Sequence, residues 1–499
     1  MRHPPLLVAI EVLCLVAFLV LAGVHVVGSR AEVALVPLSK EALTMGPSQE
    51  RWNGVFFQDQ HVGFTVTRTT PTTEGGMLYE SRSTFSVATF GQIQEVVTAG
   101  AALTGEDGTL QRFDFFMLAS MVKLVARGEV QGDRIVMEVD QAGETSTLEF
   151  PITEAPHVSL SLEEAIRRTD LAVVKRFEVP YFDPVTLSQG TMEIQVEDIE
   201  IVAGSEEAYW IRTRMGDLET RALVLPSGET LRQEGALGLS LVRMTPEEAT
   251  NVPTSGEPVD LIALSAVQLR GRLRDARAKT KLSLQIRGVP PEKIWHSPPL
   301  QVREGDTVTV DIPMLEELPE LPVSDTSEPE WVRTTPTIPA GHLEIVEKAR
   351  EIVGDASSRL EAVRRLNSFV YEYVEKVPAM GVPNGLAVLR QARGDCNEHT
   401  ALFVSLARAS GIPARIAAGV VYSDRVSENG AFYYHAWPEV RLGGPTEWVP
   451  VDPTFGQLPA DATHVKIVEG DLDRQIEIMG VMGRLGFTLI EPEAPGGAP

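Results

Sequence analysis

The sequence is poor in cysteine and in positive charge. Its cysteines are Cys14 and Cys396, and Cys14 lies inside an apolar N-terminal run, which leaves Cys396 as the single thiol of the folded part. Lysine and arginine together number 44 against 69 aspartates and glutamates, so the formal net charge is −25. This balance offers little to neutralise phosphates and argues against a nucleic-acid partner. The hydrophobic fraction of 43% is nevertheless that of a globular protein.

One long hydrophobic run stands near the N-terminus. Leu6 to Val27 is long enough to span a bilayer. We expect a transmembrane anchor within residues 1–30, with a cleaved signal peptide as the alternative, because small residues follow at Gly28 and Ala31. In either case we expect residues 31–499 on the periplasmic or extracytoplasmic side, and the anchor predicts a single-pass membrane protein.

The first half of the chain is dominated by strand signals. A strand-like alternation with polar neighbours at period two runs between about Arg51 and Arg243, most clearly at Tyr79, Ser81, Ser83, Phe85 and Val87. Turn signals separate the runs at Asp107-Gly108, Gln131-Gly132-Asp133 and Ser227-Gly228. The pattern predicts an antiparallel meander without a cluster of titratable groups that demands catalysis. Residues 31–310 are therefore expected to form a β-rich structural or interaction region of unknown role, with an envelope protein as a possible partner.

A change of composition marks the expected domain boundary. Six prolines and several acidic residues fall between 311 and 340, which predicts an extended, semi-rigid linker. A domain over residues 341–490 follows, and the Pro/Gly-rich residues 491–499 are expected to be a disordered tail.

The expected C-terminal domain is built of helices followed by strands. Helices are predicted from about Gly341 to Val353, from Ser358, and from Cys396. Strand-like runs follow at 414–423, 432–442 and 447–451. The expected fold class is α+β, with the helices packed on an antiparallel sheet, after a β-rich N-terminal region and an N-terminal transmembrane helix.

The third of these helices carries the lone thiol of the folded part. Asp395 can cap its N-terminus and Gly411 lies just past its last periodic residue. Cys396 therefore lies in the first turn, where the helix dipole and unpaired N–H groups stabilise an anion. A thiol in that position loses its proton more easily, and the thiolate is the reactive form.

Two residues downstream complete a catalytic pattern. His435 lies in one strand-like run and Asp452 at the end of the next, and a short loop, 443–446, joins the two runs as a hairpin. Neighbouring strands of a hairpin bring such side chains within reach of each other. A thiol nucleophile needs a base and the base needs an orienting partner, so the sequence predicts a Cys–His–Asp triad.

Four segments are similar to the bacterial transglutaminase-like domain of the papain-like superfamily: Gly394–Cys396, Gly411–Arg415, His435–Val440 and Trp448–Thr454. The resemblance covers about residues 340–480. It implies that Cys396 is the nucleophile, His435 the general base and acid, and Asp452 the orienting residue, with no cofactor. Most bacterial domains of this kind are proteases or amidases rather than cross-linkers. Three further side chains are candidates for the substrate groove or the oxyanion site: Asp395, Asn397 and Trp437.

A metal site is the competing chemistry for these residues. Cys396 and His399 have a spacing that could share a metal with His435 and Asp452. The chain has no second cysteine pair, and zinc would block the nucleophile, so no metal is expected. His464 is expected to cap or to hydrogen-bond locally.

The expected function is that of a membrane-anchored, exported cysteine hydrolase, a protease or amidase that cleaves a protein or peptide substrate through a thioester acyl-enzyme. A protein-glutamine acyltransferase is the enzymatic alternative, because an amine could resolve the thioester instead of water. The alternative from another class is a non-catalytic envelope module that binds a peptide, a lipid or a protein.

Overall fold

The computed structural model describes residues 44, 46–89, 92–119, 122–141, 144–158, 162–183, 189–202, 206–216, 218–253, 259–324, 329–377, 382–424, 430–444 and 447–490. The described chain divides into two compact units between Leu264 and Ser265. We call residues 44–264 the β unit and the residues from 265 to 490, apart from Val382, the C-terminal unit. The segment 311–340 lies inside the C-terminal unit.

A single antiparallel sheet of 14 strands makes up most of the β unit. Its strands run along the chain as β1 Gln49–Phe57, β2 Gln60–Pro71, β3 Met77–Thr89, β4 Gln92–Thr104, β5 Leu110–Ala119, β6 Val122–Gln131, β7 Arg134–Gln141, β8 Glu144–Pro151, β9 Arg176–Phe182, β10 Gln189–Ile201, β11 Glu207–Met215, β12 Leu218–Val224, β13 Thr230–Glu234 and β14 Leu239–Met244. Short helices accompany them: α1 Leu162–Arg167, α2 Pro246–Thr250 and α3 Leu261–Ser265.

The order of strands in this sheet is β8-β7-β6-β5-β4-β3-β2-β1-β14-β13-β12-β11-β10-β9. Two meanders are therefore joined where β14 pairs antiparallel with β1, at Trp52 opposite Met244. The predicted period-two pattern is confirmed in β3, where Tyr79, Phe85 and Val87 are all buried. Gly132 turns the chain between β6 and β7 with φ +64°, a conformation that favours glycine.

The C-terminal unit contains smaller sheets and the longer helices. In chain order these are β15 Gln268–Arg270, β16 Lys281–Arg287, β17 Gln301–Glu304, β18 Thr307–Asp311, α4 Leu343–Val353, α5 Arg359–Tyr373, β19 Glu375–Lys376, α6 Gly385–Gln391, β20 Arg393–Gly394, α7 Cys396–Ala409, β21 Ala414–Ser423, β22 Ala431–Arg441, β23 Trp448–Pro450, β24 Val465–Glu469, α8 Leu472–Gln475 and β25 Gly486–Leu489. The sheets have the orders β15-β25-β16-β18-β17, β19-β20 and β23-β22-β21-β24.

The helix α7 is the centre of the C-terminal unit. Its apolar side chains are fully buried, as Leu402, Phe403 and Leu406 show, in one cluster with residues of α4, α5, β21 and β22. Packing on every side explains why the helix is buried along almost its whole length. The strand β22 is buried throughout, so one end of α7 and one strand of the sheet fix each other's position.

The expected fold class, α+β with an N-terminal transmembrane helix, is wrong. Strands make up 47% of the residues that the structure describes and helices 21%. The class was inferred from the helices around Cys396, whereas the large sheet of the β unit supplies most of the regular structure. The predicted transmembrane segment falls in residues 1–30, outside the described residues. In the part of the chain that the structure describes, no helix is both long enough and apolar enough to cross a membrane.

Candidate active site

The thiol of Cys396 stands at the first position of α7. Asp395 caps the helix: its side chain accepts a hydrogen bond from the Asn397 N–H (2.7 Å), and its own N–H donates to Glu398 Oε2 (3.0 Å). Gly394 precedes the cap because a Cβ there would lie 2.2 Å from Glu398 Cβ. The sequence Gly-Asp-Cys therefore builds a tight helix start that places the thiol in the positive end of the helix dipole.

A hydrogen bond ties this end of the helix to the sheet. Thr400 Oγ1 donates to the backbone carbonyl of Ala436, at 3.1 Å. Cys396 lies one turn before Thr400 on the same helix face, and His435 is the residue before Ala436 on β22. The turn that bears Cys396 and the strand residue His435 therefore both lie next to this contact between α7 and β22.

The imidazole of His435 has a defined tautomer. Its Nε2 lies 3.0 Å from Asp452 Oδ2, and an ionised carboxylate can only accept, so Nε2 carries the hydrogen. In the neutral ring Nδ1 is then the basic nitrogen, and it has no hydrogen-bond partner among the described residues. A free, buried basic nitrogen of this kind is what a thiol needs in order to lose its proton.

Ring contacts hold His435 in place. Phe455 stacks on the imidazole with centroids 5.0 Å apart and ring planes 10° apart, and Trp437 lies on it at 6.2 Å and 19°. Burial lowers the pKa of His435, and the attraction of Asp452 opposes that shift. Cys396, His435 and Asp452 are 0%, 1% and 0% exposed, so all three lie in the interior of the C-terminal unit.

The carboxylate of Asp452 is saturated with donors. Oδ1 accepts from the backbone N–H groups of Thr454 (2.8 Å) and Phe455 (2.9 Å), and Oδ2 accepts from His435 and His464. Burial would raise its pKa, but the two histidines hold the pKa of Asp452 well below the usual range. The group is therefore an ionised carboxylate with a fixed orientation.

His464 is a site residue that the sequence reasoning missed. It was expected to cap or bond locally, and its Nδ1 does lie 2.9 Å from the Asp461 carbonyl, but its Nε2 also lies 3.1 Å from Asp452 Oδ2. Burial opposes a charge on this ring, yet the bonds to Asp452 and Asp461 raise the pKa of His464 to about 9. The sequence offered one signal for this contact: His464 follows Asp452 by 12 residues, a distance that one loop can span.

His435, Asp452 and His464 each offer one possible metal-ligating atom, and these three atoms lie within 4.8 Å of one another, a spacing that could hold a metal ion. Each imidazole directs Nε2 at the same carboxylate oxygen, so hydrogen bonding alone accounts for the arrangement. His399, proposed above as a rival metal ligand, instead donates Nδ1–H to the Asp395 carbonyl (2.6 Å). Burial lowers the pKa of His399 to about 4, which keeps that ring neutral.

The three groove or oxyanion candidates have different surroundings. Asp395 is buried and acts as the helix cap. Asn397 is half-buried, in the first turn of α7 beside the thiol. Trp437 is 1% exposed, and its indole N–H has no hydrogen-bond partner within the described parts of the chain. The Trp437 ring stacks on the imidazole of His435.

Comparison with known proteins gives one informative match. The Transglutaminase-like superfamily matches residues 346–453, a stretch that includes Cys396, His435 and Asp452 but ends before His464. No curated protein is matched.

Three solved structures are similar to part of this chain, at low sequence identity. A β-barrel-like protein of a domain of unknown function from Brucella abortus is 11% identical, covers 41% of this chain and 97% of its own, and has a TM-score of 0.33. A candidate cysteine protease from Cytophaga hutchinsonii is 18% identical over 40% of this chain and 81% of its own, with a TM-score of 0.27. A candidate protease from Parabacteroides distasonis is 10% identical over 68% and 69%, with a TM-score of 0.19. The resemblance noted in the sequence is confirmed by the family match, and residues 346–453 are a transglutaminase-like domain.

Proposed function

We propose that the C-terminal unit is a cysteine hydrolase that cleaves an amide through a thioester, with Cys396, His435 and Asp452 as its triad. The observation that carries the proposal is the orientation of His435. Its Nε2 is held by Asp452 at 3.0 Å while its buried Nδ1 is left without a partner, beside the helix turn that bears the thiol. The family match to residues 346–453 supports the same chemistry.

The proposed reaction needs one nucleophile and one proton carrier. His435 Nδ1 takes the proton of the Cys396 thiol as sulfur attacks the amide carbonyl carbon. Collapse of the tetrahedral intermediate breaks the C–N bond, and the same proton goes to the leaving amine. A water molecule then gives its proton to Nδ1 and attacks the thioester, which releases the carboxylic acid and restores the thiol.

Asp452 and the helix start supply the electrostatics of this reaction. When His435 becomes an imidazolium, the ionised Asp452 3.0 Å away stabilises the new charge and prevents the ring from turning. The backbone N–H of Cys396, at the first position of α7, is our candidate donor to the oxyanion. Export of residues 31–499 remains a prediction from the N-terminal apolar run.

The test follows alkylation of Cys396 by iodoacetamide against pH in the full-length chain, with Cys14→Ser so that one thiol remains. A free thiol with a pKa of about 8.5 is only about 1% ionised at pH 6.5. We expect His435→Ala to slow labelling at pH 6.5 by about a hundredfold, while His296→Ala, a matched change at an exposed histidine, leaves the rate unchanged. Comparing variants removes the opening step that the buried thiol imposes on every rate.

Equal, slow labelling in wild type and His435→Ala, rising only near pH 8.5, would refute the triad. The unit would then be a binding module, the remaining alternative. For any amide substrate found, a product that forms only in the presence of an added amine would establish acyl transfer in place of hydrolysis.

A further inference from the structure

The loop before β24 places a second histidine on the triad carboxylate. His464 is 3% exposed, and both of its ring nitrogens are in hydrogen-bond contact with oxygen atoms. One is the Asp461 backbone carbonyl, 2.9 Å from Nδ1, and the other is Asp452 Oδ2, 3.1 Å from Nε2. A carbonyl and an ionised carboxylate only accept, so both nitrogens must donate and the ring is an imidazolium.

The two histidines share a single oxygen atom. Asp452 Oδ2 accepts from His435 at 3.0 Å and from His464 at 3.1 Å, while Oδ1 is held by two backbone N–H groups. The position of Oδ2 sets where His435 Nε2 must lie, and hence where the opposite nitrogen, Nδ1, points. Without His464, the buried oxygen would keep one donor and the carboxylate would be free to tilt about its Oδ1 contacts.

His464 is itself held from behind by a charged group. The Asp461 carboxylate lies 3.7 Å from His464 Nδ1 and is fixed by Arg277 Nη1 at 2.9 Å. Thus the charged or titratable groups facing the ring are Asp452, Asp461 and His435, with Arg277 behind Asp461. The cation is flanked by two carboxylates, so its charge is balanced inside the fold.

We propose that His464 is a positioning residue of the triad, which fixes Asp452 Oδ2 through its Nε2–H and thereby aims His435 Nδ1 at the thiol. This inference rests on the proposed function, because it assigns His464 a role in the same site. His464 transfers no proton and touches no substrate. What it contributes is one hydrogen bond to a specific oxygen atom.

Two isosteric variants separate that bond from the rest of the ring. The side-chain amide nitrogen of glutamine reaches the position of histidine Nε2, and that of asparagine reaches only the position of Nδ1. His464→Gln therefore keeps the donor to Asp452, whereas His464→Asn keeps only the donor to Asp461. We expect Cys396 alkylation at pH 6.5 in the full-length Cys14→Ser chain to be about tenfold to a hundredfold slower in His464→Asn and within about threefold of wild type in His464→Gln.

Thermal unfolding of each variant shows whether it is folded. The same two substitutions at the exposed His296, His296→Gln and His296→Asn, are the matched controls. If folded His464→Gln is as slow as His464→Asn, or if both equal wild type, the inference is overturned. If wild type labels no faster than His435→Ala at pH 6.5, the proposed function fails instead. A variant that does not fold is replaced by Asp461→Asn, which loosens His464 from behind and is expected to label more slowly than wild type at pH 6.5; labelling at the wild-type rate overturns the inference.

Discussion

The two units of this protein handle charge in opposite ways. The β unit buries Asp114, Glu164 and Asp183, and ion pairs such as Glu50–Arg68 and Arg134–Glu149 are exposed at its surface. The C-terminal unit buries a much larger set of ionisable side chains: Arg359, Asp395, Glu398, His399, Arg408, Arg415, His435, Glu439, Arg441, Asp452, Asp461, His464 and Lys466. Burying a charge costs free energy unless it is paired. The C-terminal unit therefore depends more than the β unit does on the pairing of its buried ionisable groups.

The contrast extends to the cavities. A cavity of about 180 Å³ in the β unit is lined by threonine hydroxyls and aliphatic side chains, such as Thr67, Thr213 and Ile211, with one ion pair between Arg51 and Glu163. No histidine lines it. The two regions thus differ in the chemistry that they offer, and the differences can be measured.

The largest expected effect comes from the buried ion network behind the four-stranded sheet. Glu439 is 1% exposed and bonds Lys466 Nζ at 2.8 Å and the Arg415 guanidinium at 2.7 Å. Glu439→Ala leaves two buried cations with Glu469 as their remaining partner, so we expect a loss of about 3–5 kcal/mol. Peptide-resolved hydrogen exchange in denaturant should locate the loss in the C-terminal unit. A loss below about 1 kcal/mol would mean that the network is not a buried one.

A smaller effect is expected from pH. The pKa of His464 is raised to about 9 from its usual value near 6.5, so its contribution is complete below pH 6.5 and is lost as pH rises through 9. We expect the C-terminal unit to lose roughly 2–3 kcal/mol between pH 6.5 and pH 10. His464→Gln should flatten this dependence. Burial lowers the pKa of both His61 and His157, so the β unit should show no such step over this range.

At acid pH we expect stability to change with pH in the opposite direction, so that it falls as pH falls. The pKa of Asp452 is depressed in the folded state, so its contribution is present above the ordinary value of about 3.9 and is lost as pH falls through the folded pKa. Hydrogen exchange of residues 452–457 measured from pH 6 down to pH 3 would detect the loss. Unchanged protection there at pH 3 would be consistent with a folded pKa still lower.

Local signals in the sequence were enough to predict the thiol helix and the hairpin that brings His435 to Asp452. The capping pattern at Asp395 and the run 414–423 correspond to the helix start and to β21 as the structure has them. Such elements are set by neighbouring residues, through caps, periodicity and short loops. The approach of His435 to Asp452 follows from them because the hairpin is local.

Contacts between distant segments could not be predicted in this way. The pairing of β14 with β1, and of β25 with β16 through Thr488 and Gln285, joins residues about 200 positions apart that carry no local mark of their partner. Ile338 lies in the proline-rich stretch and is fully buried, a fact that composition alone does not contain. His464 was missed for the same reason: the loop that returns it to Asp452 is a tertiary feature.

The smallest effect is expected at the surface of the β unit. Glu50 and Arg68 face each other across β1 and β2, with Nη2 and Oε1 2.6 Å apart, but the two side chains are 41% and 51% exposed. Solvent and salt screen such a pair, and ordering two long side chains costs entropy, so Glu50→Ala should change the free energy of unfolding by less than about 1 kcal/mol. The same Glu→Ala change at position 439 is its matched counterpart. A loss at Glu50 that equals the loss at Glu439 and persists in 1 M salt would show that charge in the β unit is as structural as in the C-terminal unit.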